Sequence, residues 1–182
     1  MRFGILALMF TGLFAAPAFA ECSDDVCMSL QKILQERSGN FAKLKGRPSA
    51  APKGDQGWEG SQPIPGLMNF CFIYAREGAH HEYRCETSGL EGGGWLAVDT
   101  ARQIAVALKT ALQGADPKLA WFIDPDSFDL ARISGFEASE AWYGGYAPNR
   151  LVVKVSIFGS DSTGTTVGII VFAKPLARSD LR

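Results

Sequence analysis

The sequence predicts an α+β fold: an antiparallel sheet of about five to six strands, with two amphipathic helices packed on one face and disulfides stapling the whole. Three observations carry this prediction. Residues 67–88 read as two strand-like runs around a turn, and two other segments repeat apolar residues at helical spacing. Three further strand-like runs, separated by glycine-rich turns, close the chain. Hairpins imply antiparallel pairing, and two helices suffice to cover one face of such a sheet.

Residues 1–20 read as a secretory leader: Arg2, an apolar run to Ala16, then Ala18-Phe19-Ala20, the small-residue pattern that signal peptidase accepts. The run is shorter than the roughly 20 residues that span a bilayer. The mature chain then begins at Glu21, and residues 21–182 have the length of a single domain. The sequence thus points to a bacterial protein that is periplasmic or secreted. With 18 basic against 19 acidic residues it has no basic stripe or acidic tail, which argues against nucleic acid and anionic membranes as partners.

Four cysteines, Cys22, Cys27, Cys71 and Cys85, lie in the mature chain, and in an exported protein an even number reads as disulfides. Three connectivities exist. Hairpin geometry favours one: pairing the two arms so that Ile73 faces Tyr83 and Ala75 faces His81 also sets Cys71 opposite Cys85, leaving Cys22 with Cys27. Zinc is the alternative, but neither pair has the C-x2-C spacing of structural zinc sites.

Ser23 is the expected N-cap of a first helix over 24–37, with Asp24 and Asp25 in its first turn. Val26, Leu30, Ile33, Leu34 and Arg37 share one face, Ser38-Gly39 supplies a stop, and Phe41 and Leu44 extend the contact. Residues 46–66 hold four prolines and five glycines without periodicity and are expected to form one long irregular loop. A short strand is expected at 95–98, followed by a helix from Asp99 or Thr100 to Leu112 with Ile104, Leu108, Ala111 and Leu112 buried. Gln113-Gly114 and Asp116-Pro117 end it. The closing strands are expected at 131–142, 150–158 and 165–173.

No catalytic constellation emerges. His80 and His81 are the only histidines, and as strand neighbours they would point to opposite faces. With Glu77 or Glu82 they make the best metal- or carboxylate-dependent enzyme reading, at the 77–82 hairpin turn, yet two donors fall short of a three- or four-ligand site. Asp124, Asp126 and Asp129 begin like a calcium loop but lack its later glycine and acidic positions. Gly92 to Gly94 precede neither a lysine nor a predicted helix start, so they form no phosphate loop. Glu137 and Glu140, three apart in a predicted strand, face opposite sides. No cofactor is implied.

What remains is a surface. Trp142, Tyr143 and Tyr146 flank Gly144-Gly145 in an expected exposed loop, and Trp58 stands in the long proline-rich segment. Such rings either bind a protein partner or fold back over the core. The leading reading is a non-enzymatic protein-binding module engaging its partner through these aromatics; a small-ligand carrier is a further alternative. In layout the chain resembles small exported bacterial proteins such as lysozyme inhibitors and immunity proteins, a likeness of architecture that implies a protein partner.

Overall fold

The computed structural model describes residues 22–51, 54–76, 80–87, 94–115, 139–143, 150–160 and 164–177. The expected leader, the aspartates at 124–129, Glu77, Glu137 and Tyr146 lie outside the described residues. Helix α1 (Asp25–Glu36) and helix α2 (Gly94–Ala115) accompany seven strands: β1 (Lys45–Ser49), β2 (Gln56–Gly60), β3 (Phe70–Ala75), β4 (His81–Glu86), β5 (Ser139–Tyr143), β6 (Arg150–Ser160) and β7 (Gly164–Ala177). They form one sheet in the order β1-β2-β3-β4-β7-β6-β5, and every pairing is antiparallel.

The central hairpin adopts the expected register: Cys71 opposes Cys85, Ile73 opposes Tyr83 and Ala75 opposes His81. Both disulfides form as expected, Cys71–Cys85 and Cys22–Cys27. The pairings align Trp58, Ile73, Tyr83, Val171 and Val153 in one row across the sheet, and Cys71, Cys85, Ile169 and Val155 in the next. Positions two apart along a strand share a face, so these rows form one apolar surface. All of these residues are buried except Trp58, which is half-buried. Each Val or Ile so buried contributes about 1.5–3 kcal/mol relative to exposure.

The strand count among the described residues exceeds the expected five to six because the 46–66 segment is not one continuous loop: it carries most of β1 and all of β2. Its glycines are what close backbone approach requires. A Cβ on Gly57 would lie 2.9 Å from the Ser49 carbonyl oxygen, and one on Gly60 would lie 2.5 Å from the Tyr83 hydroxyl. Pro48 is tolerated because β1 is the sheet's edge strand. These strands show no apolar alternation, so periodicity does not reveal them. Conversely, residues 95–98, expected as a strand, begin α2. A short apolar run does not by itself distinguish strand from buried helix.

The N-cap of α1 is Asp24 rather than Ser23: its side chain accepts from the Cys27 amide at 2.8 Å. The helix runs on into a 3₁₀ turn over Arg37–Gly39 before Asn40 and Phe41 reverse the chain at φ 55° and 57°. A left-handed backbone costs a non-glycine residue about 1–2 kcal/mol. Phe41 offsets this by complete burial, its ring 5.5 Å from that of Tyr83.

Tyr83 ties three elements together. Its hydroxyl donates to the Gln62 carbonyl oxygen at 2.8 Å and accepts from the Gln62 amide at 2.9 Å, while the Gln62 side-chain amide donates to Ser29 on α1 at 3.0 Å. Helix α2 contacts β6 and β7, and α1 lies against α2. Ile104, Leu108, Ala111 and Leu112 are buried as expected, with Thr100 and Ala101 one turn earlier. Among the described residues no helix is long and apolar enough to cross a membrane.

Candidate functional site

Two places in the described structure gather side chains with chemistry. The first is the mouth of the β3–β4 hairpin. Alternation along β4 separates the two histidines as expected. Glu82 is buried at 4% exposure, with His80 Nε2 2.9 Å from its Oε1 and Arg76 Nε 3.0 Å from the same oxygen. The His80 ring meets Phe172 edge-on, with centroids 5.4 Å apart. His81 instead faces the row of Tyr83 and Cys85, where burial, then the charges of Lys45, His80 and Lys174, hold its pKa below the usual histidine value. Thus the hairpin places one imidazole, not two, beside the carboxylate. Among the described residues no group of three His, Cys, Asp or Glu side chains is placed to hold a metal ion. What the cluster does chemically is satisfy a buried carboxylate with a guanidinium and an imidazole, as burial of such a group demands.

The second place is a cleft of about 500 Å³ between the first turn of α1 and the outer face of α2. Val26, Cys27, Leu67, Val106 and Ala107 supply its apolar lining. Its polar lining is Ser23 and Asp24 from the α1 side and Arg102, Gln103 and Thr110 from α2. On α2 these residues recur at three- and four-residue steps, which sets them on one helical face, away from the stripe of Ile104, Leu108 and Ala111. Val106 is 62% exposed, although it is apolar. Gln103 donates to Asp99 at 2.9 Å, and Asp24 is engaged with the Cys27 amide. Among the described residues no side chain pairs with Arg102. Apolar walls with a few convergent polar groups are the usual composition of a binding site.

Of the aromatic residues singled out from the sequence, those among the described residues lie on two separate strands. Trp58 sits in β2, its ring packed against the core with the Lys45 ammonium 3.6 Å from the ring centroid. Burial there also lowers the Lys45 pKa. Trp142 and Tyr143 belong to strand β5 rather than to a loop; they pair with Lys154 and Val153 of β6. The structure therefore does not bring Trp58 and the β5 pair to neighbouring strands, for β2 and β5 lie near opposite ends of the sheet. The cleft escapes sequence reasoning because its residues come from three separated segments. Its one legible sign is Val106-Ala107, apolar residues on the face of α2 opposite its buried stripe.

No family model, no curated protein and no solved structure matches this chain.

Proposed function

We propose that this chain is an exported, non-enzymatic binding protein that engages another protein at the cleft between α1 and α2. The observation that carries this reading is the cleft itself: apolar walls left open to solvent, with Val106 exposed in them, and an acidic and a basic side chain at its rim. Two disulfides fit a periplasmic or secreted protein, because cytosolic thiols are kept reduced. The reading takes both helices to lie over one face of the sheet, which the shared burial of Ile73, Tyr83, Val171 and Val153 supports. Strand β5, at the end of the sheet among the described residues, with Trp142 and Tyr143 and with Tyr146 three residues on in the sequence, is proposed as a second contact, since an edge strand carrying aromatic residues suits a protein partner. Trp58, half-buried against the core and under the Lys45 ammonium, is a lesser candidate for contact.

A small-ligand carrier is the second reading, and the cleft's volume favours it: about 500 Å³ lies within the range of pockets for small molecules. One experiment separates the two. Mature, oxidised protein and an Ala107→Trp variant, whose indole would project from the cleft wall and obstruct it, are used to capture partners from periplasmic and culture extracts. A protein retained by the parent and lost by the variant supports the proposal. A protein retained equally by both moves the contact to β5. Capture of no protein by folded, monomeric parent overturns the protein-binding reading in favour of the carrier.

A further inference from the structure

The chemistry of the cleft's occupant is legible in its rim, on the reading that the cleft binds a protein. The rim is dipolar: Asp24 stands on the α1 side and Arg102 on the α2 side. The Arg102 guanidinium has no partner among the described residues, although Glu59 and Glu82 each take an arginine elsewhere on the molecule. Asp24 uses one carboxylate oxygen, Oδ1, for the Cys27 amide, which leaves the other to accept. The same cleft is lined by the apolar side chains of Val26, Leu67, Val106 and Ala107.

We infer that the cleft takes the C-terminus of a partner polypeptide, with an apolar last side chain between the helices and the terminal carboxylate on Arg102. A chain end is the one part of a polypeptide that combines an apolar side chain, a backbone N–H and a carboxylate on one residue. Those three groups match the walls, Asp24 and Arg102 respectively. An arginine fork accepts a planar carboxylate through two N–H donors, so this contact orients as well as attracts. A space of about 500 Å³ lies within the range of small-ligand pockets, and so admits a terminal apolar side chain. A chain end inserts there without having to continue out the far side.

The test uses mature, oxidised protein and dansyl-labelled tetrapeptides ending in Val, Leu, Ile, Met or Phe, each as the free acid and as the C-terminal amide. A third set carries glutamate inside the peptide and an amide at its end. Fluorescence anisotropy reads the affinity. At least one free acid is expected to bind, with its amide and the Arg102→Gln variant each weaker by about tenfold or more, as loss of a charged hydrogen bond implies. Ala107→Trp, checked for folding by circular dichroism, is expected to abolish binding. If no free acid binds, if amide and acid bind alike, if internal glutamate binds better, or if Arg102→Gln changes nothing, the inference is overturned. The broader reading stands or falls separately: a captured protein lost by Ala107→Trp but kept by Arg102→Gln leaves the cleft as the site and removes only the carboxylate, whereas capture of no protein by the parent removes the broader reading.

Discussion

The two disulfides of this chain serve different parts of the fold. Cys71–Cys85 joins neighbouring strands in the interior, its cysteines 5% and 0% exposed, where the backbone is already paired on both sides by β2 and β7. Cys22–Cys27 ties the residues ahead of α1 to its first turn, and Cys27 walls the cleft. The first bond reinforces a part of the fold that many contacts already define. The second ties a short segment that is itself in no strand to the first turn of α1, and through buried Cys27 it shapes the wall of the cleft. The same covalent chemistry is thus expected to matter for stability in one place and for recognition in the other.

The largest effect expected is from removing the interior bond. Cys71→Ala/Cys85→Ala opens a loop of about fifteen residues, worth roughly 3 kcal/mol in the chain-entropy model, with a further loss for the emptied interior volume. Guanidinium unfolding is expected to show that loss, while the molecules that remain folded keep their partner. Cys22→Ala/Cys27→Ala opens a loop of about six residues, worth about 2 kcal/mol in the same model, to which the volume emptied at buried Cys27 adds a further loss. Capture of the partner, however, is expected to fall with this second variant. The contrast breaks if the second variant binds as well as the parent, or if the first loses binding while folded.

A third prediction concerns Tyr83, which links the interior hairpin to the helix that walls the cleft. Tyr83→Phe leaves the Gln62 amide and carbonyl oxygen without the hydroxyl and is expected to cost about 1–3 kcal/mol. Burial pushes the Tyr83 pKa up to about 12, against about 10 for an exposed tyrosine. The unfolded chain therefore ionises first as pH rises. The stability linked to this group is whole below about pH 10 and is lost progressively towards about pH 12. Denaturation midpoints taken across that window are expected to fall more steeply for the parent than for Tyr83→Phe. Equal slopes would mean that the hydroxyl is not held in the protonated state by its surroundings.

These same residues show why some of the molecule was legible in the sequence and some was not. The β3–β4 register follows from pairing two cysteines across a hairpin, and the buried stripe of α2 follows from its period; both are local patterns. Strands β1 and β2 were hidden because their residues are selected for closeness rather than for apolar alternation: Gly60 is small so that Tyr83 can lie against it. The cleft was hidden for a different reason. Cys27, Leu67 and Arg102 become neighbours only when three distant segments pack, and Arg102 reads in sequence as an ordinary solvated charge. In sequence, Trp142 and Tyr143 read as loop aromatics because the glycines after them resemble a turn, whereas the backbone at both positions is paired in β5.

The smallest expected effect tests the joint between the two regions. Asn40 and Phe41 turn the chain from α1 towards β1 in left-handed conformation, at φ 55° and 57°. Asn40 is exposed, and asparagine tolerates this conformation better than most side chains. Asn40→Gly relaxes the backbone but loosens the unfolded chain, and the two effects nearly cancel. Its stability is expected to stay within about 0.5 kcal/mol of the parent. Asn40→Val keeps the exposure but forces a β-branched residue into the same conformation, at a cost of about 1–2 kcal/mol. Since neither change touches the cleft, partner capture is expected to be unaltered in both. Loss of capture in Asn40→Val with retained folding would mean that the turn sets the position of α1, and the cleft would then depend on the interior hairpin through Phe41 and Tyr83 rather than on its own disulfide.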